Sequence, residues 1–136
     1  LARGDSAAAL IEARVVSHST ADSLSELVFE GGRLLLPQAS HAALPQGTAV
    51  RVRIQARDVS LSLQAPEHSS VLNVLRATVV DVVDDTPGQV LVVLQLGTGF
   101  HPVRLLSRIS QLSARRLGIA PGRAVFAQIK GVAMVR

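Results

Sequence analysis

The residues of this 136-residue sequence with the clearest chemical potential are a short polar group and a distant lysine. Ser69, Ser70 and Asn73 supply two hydroxyls and a carboxamide within five residues. Lys130 is the only lysine of the sequence, and Asn73 is its only asparagine. Hydroxyl, amide and ammonium donors without competing carboxylates are what a small tetrahedral oxyanion requires. The same residue types also suit an ordinary turn and a solvated strand edge, so their spacing leaves both interpretations open.

Other kinds of reactive site are absent from the sequence. There is no cysteine, which excludes a disulfide framework, a thiolate metal site and a cysteine nucleophile. There is no GxxxxGK[ST] loop, so this stretch cannot hydrolyse a nucleotide by the P-loop route. The four histidines are too far apart to form a metal-binding pair, and we expect them at the surface or at a junction: His18, His41, His68 and His101. We therefore expect no catalytic residue and no metal site.

The charge pattern argues against nucleic acid as a partner. The formal net charge is +4, but the arginines are scattered and often alternate with valine, as in residues 50–54. Such alternation is typical of a half-buried strand. Aromatic residues make up only 2% of the sequence, so bases would find few stacking platforms.

The sequence begins with Leu1 rather than Met and has no apolar run of the roughly 18 residues that span a bilayer. We interpret it as a soluble piece of a longer protein.

The elements that must position these residues are mostly strands. Short β-branched segments bounded by turn residues predict an all-β barrel or sandwich. The predicted strands are 8–18, 25–29, 33–36, 49–56, 59–63, 75–83, 89–95, 100–106, 124–130 and 132–135. One helix is predicted over 110–117, where Ser110 could cap the first turn and Gly118 could end the last. A shorter helical counterpart is predicted over 38–43.

The two halves of the sequence resemble each other. Residues 13–17 align with 77–81, and residues 44–50 align with 120–125 once one gap is allowed. A repeat of this length suits two copies of a five-stranded OB-like barrel. We therefore predict a first OB-like half over 1–66, as either a complete or a partial barrel, and a second half over 67–136.

Three collinear motifs in the second half resemble the oxyanion-binding domains of the molybdenum-pterin-binding (Mop) and TOBE family. Residues 70–79 are similar to the opening S-x-[RK]-N-x-L-x-G-x-V of that family. Residues 103–110 resemble its L-x-A-R-I-T stretch, and residues 117–130 resemble its L-x-L-x-x-G-x-x-V-x-A-x-I-K ending. The resemblance implies MOP-like β-barrels that dimerise, with the oxyanion at an interface between subunits.

The first half carries a second resemblance. Residues 50–61 are similar to the R-x-R-I-x-A-R-D-V-[SA]-L segment of molybdate-importer ATP-binding subunits, which lies just ahead of their Mop-like domain. The two resemblances together imply the regulatory C-terminal region of such a subunit, from which the ATPase domain is missing. They imply a homodimer, an N-terminal ATPase domain and a membrane permease as partners, and a cytoplasmic location at the inner face of the membrane.

By motif position, the resemblance implies that Ser70, Asn73 and Lys130 bind molybdate or tungstate, with no cofactor. Leu72 stands where the family often has a cation, and Gly131 follows the lysine in place of a small hydroxyl residue or alanine. A lost guanidinium removes a charge-assisted donor worth about 1.5 to 3 kcal/mol. Two other hypotheses remain: a purely structural dimerisation module without oxyanion binding, and an OB-type nucleic-acid binder.

Overall fold

A computed structural model describes residues 7–38 and 44–135, and in these ranges the regular secondary structure is almost entirely β-strand. The strands are β1 Ala8–Ser19, β2 Leu24–Phe29, β3 Gly32–Pro37, β4 Ala49–Gln55, β5 Val59–Ser62, β6 Asn73–Asp84, β7 Gln89–Leu96, β8 Val103–Ser110, β9 Ala124–Ile129 and β10 Ala133–Val135. A single turn of 3₁₀ helix, Ala56–Asp58, joins β4 to β5, and the α-helix α1, Gln111–Leu117, follows β8. The predicted all-β class with two related five-stranded halves is confirmed.

The strands form two curled, antiparallel five-stranded sheets that exchange a strand. The first sheet has the order β10-β4-β1-β2-β3, and the second has the order β5-β9-β6-β7-β8. β5 follows β4 in the chain but pairs with β9, whereas β10 follows β9 but pairs with β4. Each sheet is therefore completed by a strand from the other half of the sequence. The predicted division between residues 66 and 67 stays a prediction.

The internal repeat is visible in individual hydrogen bonds. The Gly47 amide donates to the carbonyl of Val15 over 2.8 Å, and the Gly122 amide donates to the carbonyl of Val79 over the same distance. Both glycines have a positive φ, +89° and +93°, which side chains disfavour. A β-bulge follows Val15 in the β1–β2 ladder and Val79 in the β6–β7 ladder. The turns at residues 45–47 and 121–122, each with a proline followed by one of these glycines, thus mark equivalent corners of two equivalent units.

The core is aliphatic and shared by the two sheets. Strand residues alternate between buried and exposed positions, as the period of two in β1 shows. The largest fully buried side chains come from both halves and form one cluster: Ile11, Leu27, Leu34, Leu36 and Ile54 with Leu94, Leu96, Leu105 and Ile129. A smaller cluster joins Ala7, Ala56, Leu91 and Leu106. It packs the 3₁₀ turn against β7 and β8.

The hairpin tips of the two halves pack backbone to backbone. A Cβ built on Gly31, in the β2–β3 turn, would lie 2.7 Å from the Cβ of Leu96. A Cβ built on Gly97 would lie 3.3 Å from the Cα of Gly31. Side chains at either glycine would therefore push the two tips apart.

The predicted helix is confirmed with both of its caps. The Ser110 hydroxyl accepts a hydrogen bond from the Ser113 amide over 3.0 Å, and Gly118 ends α1 in the left-handed conformation at φ +63°. The shorter helix predicted over 38–43 falls mainly on residues 39–43, outside the described residues. No helix in the described ranges has the length and apolar character needed to cross a membrane.

The start of β8 differs from the prediction. We predicted a strand from Phe100, but β8 begins at Val103 and continues to Ser110. Phe100 lies in the β7–β8 loop and is 100% exposed. Pro102 has no amide hydrogen to donate to a strand ladder, which places the loop residues before it outside the sheet.

Candidate functional site

The fold brings Asn73 and Lys130 to the same end of two neighbouring strands. Asn73 is the first residue of β6 and is paired in register with Ile129, the last residue of β9. Lys130 follows Ile129 directly, and Ser70 precedes β6 by three residues. The three residues implied by the resemblance thus enter or leave the second sheet at one corner. Their role as oxyanion ligands stays a prediction.

The carboxamide of Asn73 joins the two sheets. Its Oδ1 accepts a hydrogen bond from the Leu35 amide over 2.8 Å, and its Nδ2 donates to the Leu35 carbonyl over 2.9 Å. Leu35 lies on β3, the edge strand of the first sheet. A carboxamide has two N–H donors and two acceptor lone pairs, so half of its hydrogen-bonding capacity is used by Leu35. The second N–H of Nδ2 has no hydrogen-bond partner among the described residues.

The segment before β6 is polar and open to solvent. Ser70 is exposed, and the Ser69 hydroxyl accepts a hydrogen bond from the Val71 amide over 3.1 Å. This bond shapes the turn that leads into β6. Leu72, at the position where the family often has a cation, is 61% exposed. A large apolar side chain therefore stands beside the predicted ligands.

Lys130 is anchored through its backbone, while its side chain is exposed. The Lys130 amide donates to the Asp58 carbonyl over 2.8 Å, which ties the end of β9 to the 3₁₀ turn. A Cβ built on the next residue, Gly131, would lie 2.9 Å from Oδ2 of Asp58. The Asp58 carboxylate is thus the acidic group packed directly against the residue that follows the lysine.

Two residues of this corner were missed by reasoning from the sequence. Leu35 takes part through its backbone, which no side-chain pattern reveals. Asp58 lies in residues 50–61, which carry the first-half resemblance, but nothing local in the sequence shows that the chain crosses over beside Gly131. Both contacts join segments that are far apart in the sequence, beyond the reach of periodicity or motif spacing.

His18, which we expected at the surface or at a junction, is half-buried and links neighbouring segments. Its Nε2 lies 2.8 Å from the Leu44 carbonyl and its Nδ1 lies 2.7 Å from the hydroxyl of Ser25. Ser25 is 1% exposed. His18 therefore bridges β2 and the segment before β4. His68 and His101 are exposed, and His41 lies outside the described residues. Within those residues, no group of three or more His, Asp or Glu side chains could hold a metal ion.

The amino-acid sequence is similar to one known domain family and to one group of curated proteins. Residues 69–135 match the family model of the TOBE domain. The chain is 47% identical over 135 residues to the molybdenum import ATP-binding protein ModC of Albidiferax ferrireducens, covering 99% of this chain and 35% of that protein. It is 42% identical over 134 residues to the ModC protein of Rhodopseudomonas palustris, covering 98% of this chain and 35% of that protein. The chain spans about a third of the length of these relatives.

Comparison with solved structures supports the fold. The structure of the cytoplasmic molybdate-binding protein ModG, solved with molybdate bound, superposes with a TM-score of 0.76 at 20% sequence identity. The match covers 96% of this chain and 95% of that chain. The likeness confirms the OB-like β-barrel class that the sequence predicted.

Proposed function

Because residues 69–135 carry a TOBE domain and the chain corresponds to the C-terminal region of molybdenum import ATP-binding proteins, we propose that it is the regulatory and dimerisation region of a molybdate importer. In this proposal molybdate or tungstate binds at an interface between two copies of the chain. Ser70, Asn73 and Lys130 are the ligands. The sequence contains no P-loop, so this chain does not hydrolyse a nucleotide by that route.

The observation that carries the proposal is the register of β6 against β9. That register places the only asparagine of the chain next to Ile129, and hence beside its only lysine. The second N–H of the Asn73 carboxamide, the Ser70 hydroxyl and the Lys130 ammonium supply donors of the kind that a tetrahedral oxyanion accepts.

The exposure of this corner supports a site shared with a second copy. Ser70 and Lys130 are exposed, and Leu72 is 61% exposed between Ser70 and Asn73. An apolar side chain beside charged and polar donors suits an interface, where the partner covers the apolar surface and removes water from the anion. The oxyanion would then bind more strongly to the paired than to the separate copies.

A ligand held between two copies can regulate an attached domain only by favouring one arrangement of the copies. A coupling free energy of about 1 to 3 kcal/mol between the ligand and that arrangement suffices for regulation. In the whole protein, we infer that the arrangement of the two copies changes the position of an N-terminal ATPase domain and, through it, affects a membrane permease at the cytoplasmic face. Nucleic acid has no part in this proposal.

The direct test is calorimetric titration of the chain with molybdate. We expect saturable binding in the parent and a loss of at least tenfold in affinity in Lys130→Ala, because one charge-assisted donor is removed. Arg116→Ala is the matched control, since it removes an exposed cation on α1 instead. Absence of binding in the parent, or equal affinity in Lys130→Ala, would contradict the proposal.

The hydrogen bonds of Asn73 favour a second candidate function. Because both polar atoms of its carboxamide already bond Leu35, Asn73 has a complete structural reason to be present without a ligand. In this alternative the chain only holds two ATP-binding subunits together. Sedimentation separates the candidates: a dimer whose dissociation constant is unchanged by molybdate supports the structural module, and a monomer contradicts it.

A further inference from the structure

We propose that Asp58 sets the affinity of the oxyanion corner: its carboxylate lowers the affinity of the Lys130 site for doubly charged oxyanions. The inference rests on the proposed function, which names Lys130 as a ligand, and extends it to a residue from the other half of the sequence. The chain crosses from one sheet to the other twice, between β4 and β5 and again between β9 and β10. The inference follows from the contact between these two crossing segments, which contain Asp58 and Lys130.

The backbone of Asp58 is held in a fixed place beside Lys130. Asp58 ends the 3₁₀ turn, and Ala56 at the start of that turn is fully buried against Leu91 and Leu106. The Asp58 carbonyl accepts the amide hydrogen of Lys130 over 2.8 Å. A buried anchor on one side and a backbone hydrogen bond on the other prevent the turn from moving away from the lysine.

The side chain of Asp58 fills the space that a side chain at position 131 would need. A Cβ on Gly131 would lie 2.9 Å from Oδ2 and 3.3 Å from Cγ of Asp58. The first distance is shorter than van der Waals contact allows, so the present position of the carboxylate requires glycine at 131. Where the family that the sequence resembles often has a small hydroxyl residue or alanine after its lysine, this chain has glycine with a carboxylate oxygen beside it.

The surroundings of Asp58 contain both cations and acceptors. Asp58 and Gly131 line a cavity of about 220 Å³ together with Arg53, whose side chain is exposed, and Gln55. Gln55 precedes the 3₁₀ turn and Asp58 ends it, and both line this cavity. The Oε1 atom of Gln55 is buried and has no hydrogen-bond partner among the described residues. Arg53 supplies a cation here, while Gln55 and Asp58 supply oxygen acceptors, which oppose an unprotonated anion.

The expected effect is modest because the corner is partly open to solvent. With the dielectric constant of water, a carboxylate and a dianion separated by about 7 to 14 Å repel each other enough to weaken binding about three- to eightfold at low ionic strength. The repulsion acts on molybdate, tungstate and sulfate alike, since all three carry two charges. It therefore sets the affinity of the site for dianions as a class.

The experiment compares the parent with Asp58→Asn by calorimetric titration with molybdate and, separately, sulfate, at low and high ionic strength. Asparagine keeps the shape of the side chain and removes the charge. We expect three- to eightfold tighter binding of both dianions at low salt, and a smaller gain at high salt. Asp84→Asn is the matched control, because Asp84 is exposed at the end of β6 that lies away from Asn73 and the oxyanion corner. It should leave both affinities unchanged.

A second variant guards against a folding defect. Asp58→Ser removes the charge with a smaller side chain, and circular dichroism checks that each variant is folded. If the parent binds molybdate and neither Asp58 variant binds more tightly, or if Asp84→Asn gives the same gain, the role of Asp58 is refuted while the proposed function stands. If neither the parent nor the Asp58 variants bind molybdate, both are refuted. Binding by the Asp58 variants but not by the parent supports the role of Asp58 and contradicts the proposal that the parent binds molybdate.

Discussion

Replacing Asn73 with alanine tests whether the Asn73–Leu35 contact holds the two sheets together. The substitution removes hydrogen bonds of 2.8 Å and 2.9 Å between the carboxamide and the Leu35 backbone. Each bond contributes about 1 kcal/mol net, and a buried backbone group left without a partner costs about 1 to 3 kcal/mol more. Because the contact is only half-buried, we expect a total loss of about 2 to 4 kcal/mol.

The assay is thermal and urea unfolding followed by circular dichroism. For a chain of this size, a loss of about 2 to 4 kcal/mol lowers the melting temperature by roughly 6 to 12 °C. The urea midpoint should fall while the slope of the free energy of unfolding against urea stays the same, because the surface exposed on unfolding hardly changes.

Gln95→Ala is the matched control for removal of a carboxamide. Gln95 also makes two hydrogen bonds, but both are 3.3 Å long, to the Gly97 carbonyl and from Arg104. They lie within one sheet, so we expect a loss below about 1 kcal/mol. If Asn73→Ala lies within about 0.5 kcal/mol of the parent, or if Gln95→Ala is equally destabilised, the contact does not hold the sheets together and its inferred contribution is wrong.

Two further substitutions test other contacts that join the halves. Ser107→Ala removes the 2.6 Å hydrogen bond from the fully buried Ser107 hydroxyl on β8 to the Val59 carbonyl on β5. We expect the free energy of unfolding, measured with urea, to fall by about 1 to 2 kcal/mol. Unchanged stability would show that this hydrogen bond between β5 and β8 does not contribute. Gly31→Ala places a methyl group 2.7 Å from the Cβ of Leu96, and we expect a loss of about 1 to 3 kcal/mol in the same assay; a neutral result would mean that the hairpin tips can separate freely.

The local elements could be predicted from the sequence because their signals are local. Alternation of apolar and polar residues located the strands, as in residues 50–54, and the turn glycines at 47 and 122 marked the repeat. Ser110 and Gly118 gave both ends of α1 correctly. The strand start at Phe100 was wrong, since the apolar pattern continued through a loop that Pro102 keeps out of the sheet.

The non-local arrangement could not be predicted in the same way. The exchange of β5 and β10 depends on pairings such as Val59 with Ile129, which join distant segments. The composition of either strand says nothing about which sheet it joins. The Asn73–Leu35 bonds and the contact of Asp58 with the space beside Gly131 follow from that exchange. The resemblance located Asn73 and Lys130 in sequence, and only the fold gave their neighbours.

The strand exchange also constrains the order in which the chain can fold. Ala133 of β10 pairs with Arg53 of β4, which precedes it by more than half the chain. Contacts of such high contact order close slowly, because loop entropy is lost before the pairing is gained. During synthesis, β4 emerges before β10, and one edge of β4 stays unpaired until β10 is made. The first sheet of this chain is therefore completed only after the strands of the second sheet have been made.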